Sequence, residues 1–330
     1  MKGKLLKGGW LILGWLILAC MVCWTSMAIF YSNLAPGIRP VAAALFAISS
    51  LALFFKVRPY RRAVLIFFFI FAFLVFWWLN IPPSNEREWQ PDVAVLSYAV
   101  IDGDHVTVRN IRNVDYHSEA DYTVRHYDAS FDLNQLQSAD VYLVYWGSPL
   151  IAHTMMSFGF GDGRYLGFSI ETRKRKSQEY SEVKGFFKQY ELIYVVADEK
   201  DVVRLRTNYR HEDVYLFRLN TSREVMRKAF LDYLSEVNNL GQHPEWYNAF
   251  SHNCFPNLRG HTTLYNPRAK WDWRFFVNGH VDEFMYEQGM LDQSLPYAEL
   301  KQRSHINKKA NAAGNSADFS TRIRVGLPGF

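Results

Sequence analysis

The sequence predicts an α+β protein in which three N-terminal transmembrane helices precede one exported mixed domain. Three observations carry this. Long apolar runs fill the chain before Pro82. Short β-branched and aromatic runs follow it. One amphipathic helix, Ser222 to Leu240, stands among those runs without the regular βαβ rhythm of a doubly wound sheet.

The apolar runs are Trp10 to Tyr31, Pro40 to Phe55 and Ala63 to Ile81. A helix crossing a bilayer core needs about 20 apolar residues, which the first and third meet easily and the shorter second approaches. A cleaved signal peptide fits poorly, because no polar region with a small-residue site follows the first run. A lipoprotein site at Ala19-Cys20 fits poorly too, because apolar residues continue to Tyr31. Lys2, Lys4 and Lys7 precede the first run, and Lys56 to Arg62 is a basic loop between the second and third. The loop between the first and second holds only Arg39. Positive charge stays inside, so the N-terminus is expected in the cytoplasm and everything after Pro82 on the far side. Trp77 and Trp78 then fall at the outer interface. The expected division is an anchor over residues 1–84 and a domain over 85–330. The net charge of +5 sits largely in the inner loops and gives no case for nucleic acid.

Within the domain, Val93, Val95, Tyr98 and Val100 lead to a turn at Asp102-Gly103-Asp104, and Val106 and Val108 return, which reads as a hairpin. Val141 to Trp146, Leu192 to Val196 and Val214 to Phe217 read as strands. Ser222 can cap the helix that carries Val225, Ala229, Leu231, Leu234 and Val237. The polar, small-residue stretch Asn307 to Ala317 reads as a loop.

Cys254 is the sole cysteine outside the first apolar run, where Cys20 and Cys23 lie. It therefore has no disulfide partner within the exported domain, and is either a buried apolar filler or a nucleophile. Pro256 suits the first turn of a helix starting near Asn253 or Cys254, with Ser251 or Asn253 as cap. A thiol at a helix N-terminus is acidified by the dipole, and the adjacent backbone N–H groups can hold an oxyanion.

His153 begins an alternating arm to Phe160, and a second arm runs from Arg164 to Thr172. The even positions are mostly apolar. The odd ones include His153, Ser157, Ser169 and Glu171. A shared apolar face requires partners of equal parity and hence an odd loop, Gly161-Asp162-Gly163. Glu171 then faces His153 and can orient its ring for base chemistry. A two-residue turn would make Thr172 the partner and break the apolar face. The bland readings are a structural cysteine and a satisfied strand histidine. His252, His261 and His280 lack zinc-type spacing, so neither a metal nor another cofactor is expected.

Several runs of the domain resemble the Lnb-type periplasmic domain, a family named for a lipoprotein N-acyltransferase. They include Val108 to Asn113, Ala152 to Phe160, Ser169 to Arg173, Lys184 to Phe187, Tyr194 to Val196, Arg204 to Thr207, Trp246 to Asn248 and Asn253-Cys254. Together they span roughly Trp89 to Tyr265. The resemblance implies a circularly permuted papain- or NlpC/P60-like fold with histidine before cysteine. It maps the catalytic pair to His153 and Cys254 and an acidic residue to Glu171. Tyr247 and Asn253 are carried as supporting residues. Phe255-Pro256 departs from the family, where threonines follow the cysteine, and the named acyltransferase has its membrane helices after the domain rather than before it.

The expected function is a thiol acyltransferase or hydrolase of the bacterial inner membrane with a thioester acyl-enzyme. Its substrates would be phospholipid or lipoprotein. A cell-wall cysteine peptidase or amidase and a non-catalytic envelope binding module are the alternatives.

Overall fold

A computed structural model describes residues 2–248, 272, 274 and 278–330 of the chain, with side chains from residue 9 onward. It divides into two compact units. One comprises Met1–Pro83 together with Ser181–Gln189, and the other Ser84–Tyr180 and Tyr190–Phe330.

In the first unit α1 (Lys2–Phe30), α2 (Arg39–Lys56), α3 (Tyr60–Leu79) and the short α4 (Glu182–Gly185) are helical. Three spans, Gly9–Phe30, Arg39–Lys56 and Tyr60–Leu79, are long and apolar enough to cross a membrane. Phe54, Ala63 and Phe67 form their shared core, backed by Leu18, Met21 and Phe46. Phe55, Phe69, Phe73 and Phe76 point outward and stay exposed. Lipid is the solvent that makes such a surface stable.

The second unit is α+β. Its strands are β1 (Tyr98–Asp102), β2 (His105–Arg112), β3 (Asp115–Tyr116), β4 (Tyr122–Thr123) and β5 (His126–Asp132), then β6 (Leu136–Tyr145), β7 (His153–Phe160), β8 (Tyr165–Arg173), β9 (Glu191–Asp198) and β10 (Asp213–Arg218). Among the described residues β3 and β4 form a two-stranded ribbon, and the others make one eight-stranded sheet. Its order is β1-β2-β9-β8-β7-β6-β10, with β5 also on β2. Every pairing is antiparallel except β2 with β9. The hairpin expected before Val108 forms, with Asp102 opposite His105. Pro91–Val93 is a 3₁₀ turn, so the first strand starts later than the valines suggest.

Both faces of the sheet are covered. On one, α6 (Arg223–Gln242) lays Phe230, Tyr233, Leu234 and Val237 against Phe158, Phe168 and Ile170. Ser222 caps it by accepting from the Val225 N–H at 3.3 Å. The buried stripe keeps Leu234 and Val237, but its centre is Met226, Phe230 and Tyr233 rather than Val225 and Ala229. On the other face α5 (Glu199–Arg204) and the helices Asn307–Ala313 and Phe319–Arg324 pack on Met155, Val195 and Ala197. The stretch from Asn307 is thus a helix and not the loop that its polar composition suggested. Ala310 and Ala313 are buried, and their small side chains let it lie close to the sheet.

The segment entering this unit is strapped by Arg173. Its guanidinium donates to the Val93 carbonyl at 2.9 Å, the Ala94 carbonyl at 2.9 Å and Asn85 Oδ1 at 2.8 Å. It also lies 4.2 Å over the Trp89 ring. Burial pulls its pKa down to about 10, against the opposing pull of Glu191.

Candidate functional site

The register of β7 and β8 is the one that a three-residue loop dictates. Met155 pairs with Ser169 and Gly159 with Tyr165. The turn closes through the Phe160 N–H and the Arg164 carbonyl at 2.9 Å. Continuing this register brings His153 opposite Glu171. His153 Nε2 lies 3.2 Å from Glu171 Oε1. Ser169 sits between them, its Oγ 2.8 Å from His153 Nε2 and donating to Glu171 Oε1 at 2.6 Å. His153 is buried, whereas the Glu171 side chain keeps 30% of its exposure.

A second layer holds the carboxylate. Arg206, in the helical turn Leu205–Tyr209, donates to Glu171 Oε1 at 2.7 Å and to Glu212 Oε2 at 3.1 Å. Burial pushes the Glu171 carboxyl up, but His153 and Arg206 outweigh it and hold the group well below the usual carboxylate range. Burial likewise pulls the Arg206 guanidinium down, and Glu171 and Glu212 more than restore it. Glu171 is therefore a fixed anion at one end of the imidazole. It can orient the ring and stabilise an imidazolium formed there.

Sequence reasoning found His153 and Glu171 but not Arg206 or Glu212, and gave Ser169 no role. Arg206 lies in a run that carries the resemblance. An ion pair between residues far apart in sequence leaves no periodic trace, and that run was its one signal.

Cys254 and Asn253 lie outside the described residues. The chain on either side of 249–271 and 275–277 is described, and both flanks are fixed at the end of the sheet where β7 starts, β8 ends and β9 starts. On the first flank the Leu192 N–H donates to the Glu245 carbonyl at 2.8 Å and the Tyr247 N–H to the Tyr190 carbonyl at 2.9 Å. Tyr247 packs on the core of the α6 face, whereas His153 and Glu171 project to the other face. On the second flank the Asn278 amide clamps Ala152, the neighbour of His153. It accepts from the Ala152 N–H at 3.0 Å and donates to the Ala152 carbonyl at 2.7 Å. Gly279 follows in close approach, since a Cβ there would meet the Pro149 carbonyl oxygen at 2.1 Å. Among the described residues no group of three His, Cys, Asp or Glu side chains is placed to hold a metal ion.

A mixed sheet covered on both faces, a His–Ser–Glu–Arg chain at one end, and helices apolar enough to cross a membrane in the same chain define an α+β domain of a membrane protein. Residues 122–279 match the family model of the Lnb N-terminal periplasmic domain. The protein is accordingly a membrane protein of the cell envelope with a periplasmic domain. No curated protein and no solved structure matches the chain.

Proposed function

We propose that the protein is a thiol acyltransferase or hydrolase of the bacterial inner membrane, with its N-terminus in the cytoplasm and Cys254 as nucleophile. The observation that carries this reading is the His153–Ser169–Glu171 chain, with His153 buried and Glu171 held from behind by Arg206. Because Nε2 of His153 faces Ser169 and Glu171, proton exchange with the thiol runs through Nδ1. The order of histidine before cysteine, and the anchoring of both flanks of the cysteine segment at the His153 end of the sheet, support a permuted papain-like arrangement.

In this mechanism His153 takes the thiol proton and the resulting imidazolium is stabilised by Glu171. The thiolate attacks an ester carbonyl of a phospholipid, forming the C–S bond. Collapse breaks the C–O bond, and the lysolipid alkoxide leaves with the imidazolium proton. An amine such as a lipoprotein N-terminus, or water, then attacks the thioester and regenerates the thiol. Backbone N–H groups beside Cys254 would stabilise the oxyanion, with Asn253 in support, whereas Tyr247 packs on the opposite face and holds the flank.

Mass spectrometry of the full-length protein incubated with phospholipid tests this. An acyl adduct is expected on Cys254 in the wild type, a more stable oxygen ester in Cys254→Ser, and loss of most adduct in His153→Ala. No adduct in any phospholipid mixture, with unchanged lipoprotein acylation in cells carrying Cys254→Ala, would overturn the reading.

A further inference from the structure

Nine residues between β8 and β9 group with the membrane helices rather than with the sheet they interrupt. Ser181–Gln189 reads Ser-Glu-Val-Lys-Gly-Phe-Phe-Lys-Gln. It is seated at the end of α3 that leads into the domain. The Lys188 ammonium donates to the Trp78 carbonyl at 2.9 Å and the Leu79 carbonyl at 2.8 Å. These are last-turn carbonyls, and a cation there meets the negative end of the helix dipole. The same ammonium lies 4.8 Å over the Trp78 ring. Phe187 is buried, stacked on Tyr31 at 5.5 Å and near Trp24 at 6.4 Å. Gln189 donates to the Tyr31 carbonyl.

This seat leaves two apolar side chains outside. Val183 is 45% exposed and Phe186 44%. At the helix end that Lys188 caps, Phe76 and Leu79 are exposed too. We propose that segment 181–189 is a membrane-interfacial contact, in which Val183 and Phe186 insert into the headgroup–acyl boundary of the leaflet on the domain's side. Three features select lipid as the occupant. Phe187 and Lys188, next in sequence to Phe186, hold the segment on helices whose outer surface is apolar. Tyr31, Trp78 and Lys188 are the amphipathic types that populate a bilayer interface. Lys184 is partly exposed beside the pair and complements anionic phosphate headgroups. Interfacial segments of this kind bury their apolar side about 5–10 Å into the boundary region. The contact does not depend on the chemistry proposed for Cys254.

Depth measurement by spin labelling tests it in the full-length protein, reconstituted in phosphatidylcholine–phosphatidylglycerol nanodiscs with Cys20, Cys23 and Cys254 replaced by serine. Nitroxides are attached through Val183→Cys, Phe186→Cys and, as a solvent reference on α6, Lys228→Cys. At positions 183 and 186 the ratio of accessibility to oxygen over that to a nickel chelate should be several-fold higher than at 228. Nickel accessibility equal to that at 228 would place the segment in water and overturn the proposal. Shielding from both reagents would also overturn it, because that result means a protein contact.

Discussion

The two faces of one pair of strands contrast sharply. On the α6 side β7 and β8 present Phe158, Phe160, Phe168 and Ile170, and Phe230 packs edge-on against the first three at ring separations of 5.2–5.9 Å. On the opposite side the same strands present His153, Ser157, Ser169 and Glu171 around Met155, and the covering helices bring buried charges as well as apolar side chains to them. Dispersion and burial hold the first face, with no directional demand beyond shape. The second face is stable only if each charge finds its partner, because unpaired charges in a dry interior are costly. A surface of the second kind specifies geometry, which is what a positioned imidazole needs.

The largest effect that would separate the faces is expected at Arg324. Its guanidinium donates to Asp140 Oδ2 at 2.7 Å and to Glu199 Oε2 at 2.7 Å, and all three residues are buried. Burial pushes the Asp140 carboxyl up, and Arg324 and Arg218 oppose that push. Arg324→Met leaves Asp140 with Arg218 alone and takes from Glu199 its arginine, and should cost about 3–5 kcal/mol. A thermal melt of the full chain would register that as a drop of roughly 10 °C. A drop of a degree or two would mean that the ionic face is as tolerant as the aromatic one, and the contrast would fail.

The next effect concerns Glu171 and carries a pH signature. Its carboxyl is held below the usual range in the folded protein, so unfolding takes up a proton between that value and about 4.3. The stabilisation is complete above the unfolded value and fades as pH falls through the folded one. Glu171→Gln removes the charge-assisted bond to Arg206 and should cost about 1.5–3 kcal/mol at pH 7. The gap between variant and wild type should close steadily below about pH 4. A gap independent of pH would show that the charge of Glu171 does not matter and that its shape alone does.

How far the sequence discloses these faces depends on whether the controlling interaction is local. The membrane helices are legible because length and hydropathy suffice. The His153–Glu171 pairing is legible because strand parity and the Gly161-Asp162-Gly163 loop leave one register that keeps a common apolar face. Arg206 and Arg324 are not, since their partners arrive from distant elements without a period. The Asn307–Ala313 helix hides behind polar composition because its two buried contacts are alanines. Segment 181–189 is too short and mixed for any pattern to assign it to the helices.

The smallest effect is expected on the aromatic face, and it completes the contrast. Phe230 is fully buried and meets Phe131, Phe158, Phe160 and Phe168. Phe230→Leu removes ring contacts yet leaves an apolar side chain that neighbours can close upon, so the cost should be about 1–2 kcal/mol. That corresponds to a fall of roughly 4 °C in the same melt. The acyl adduct on Cys254 should be unchanged at a temperature where the variant is folded, because His153, Ser169 and Glu171 project to the other side of the sheet. A strong loss of adduct from a folded Phe230→Leu protein would show that the aromatic core also sets the position of the imidazole, and the division of labour between the faces would have to be abandoned.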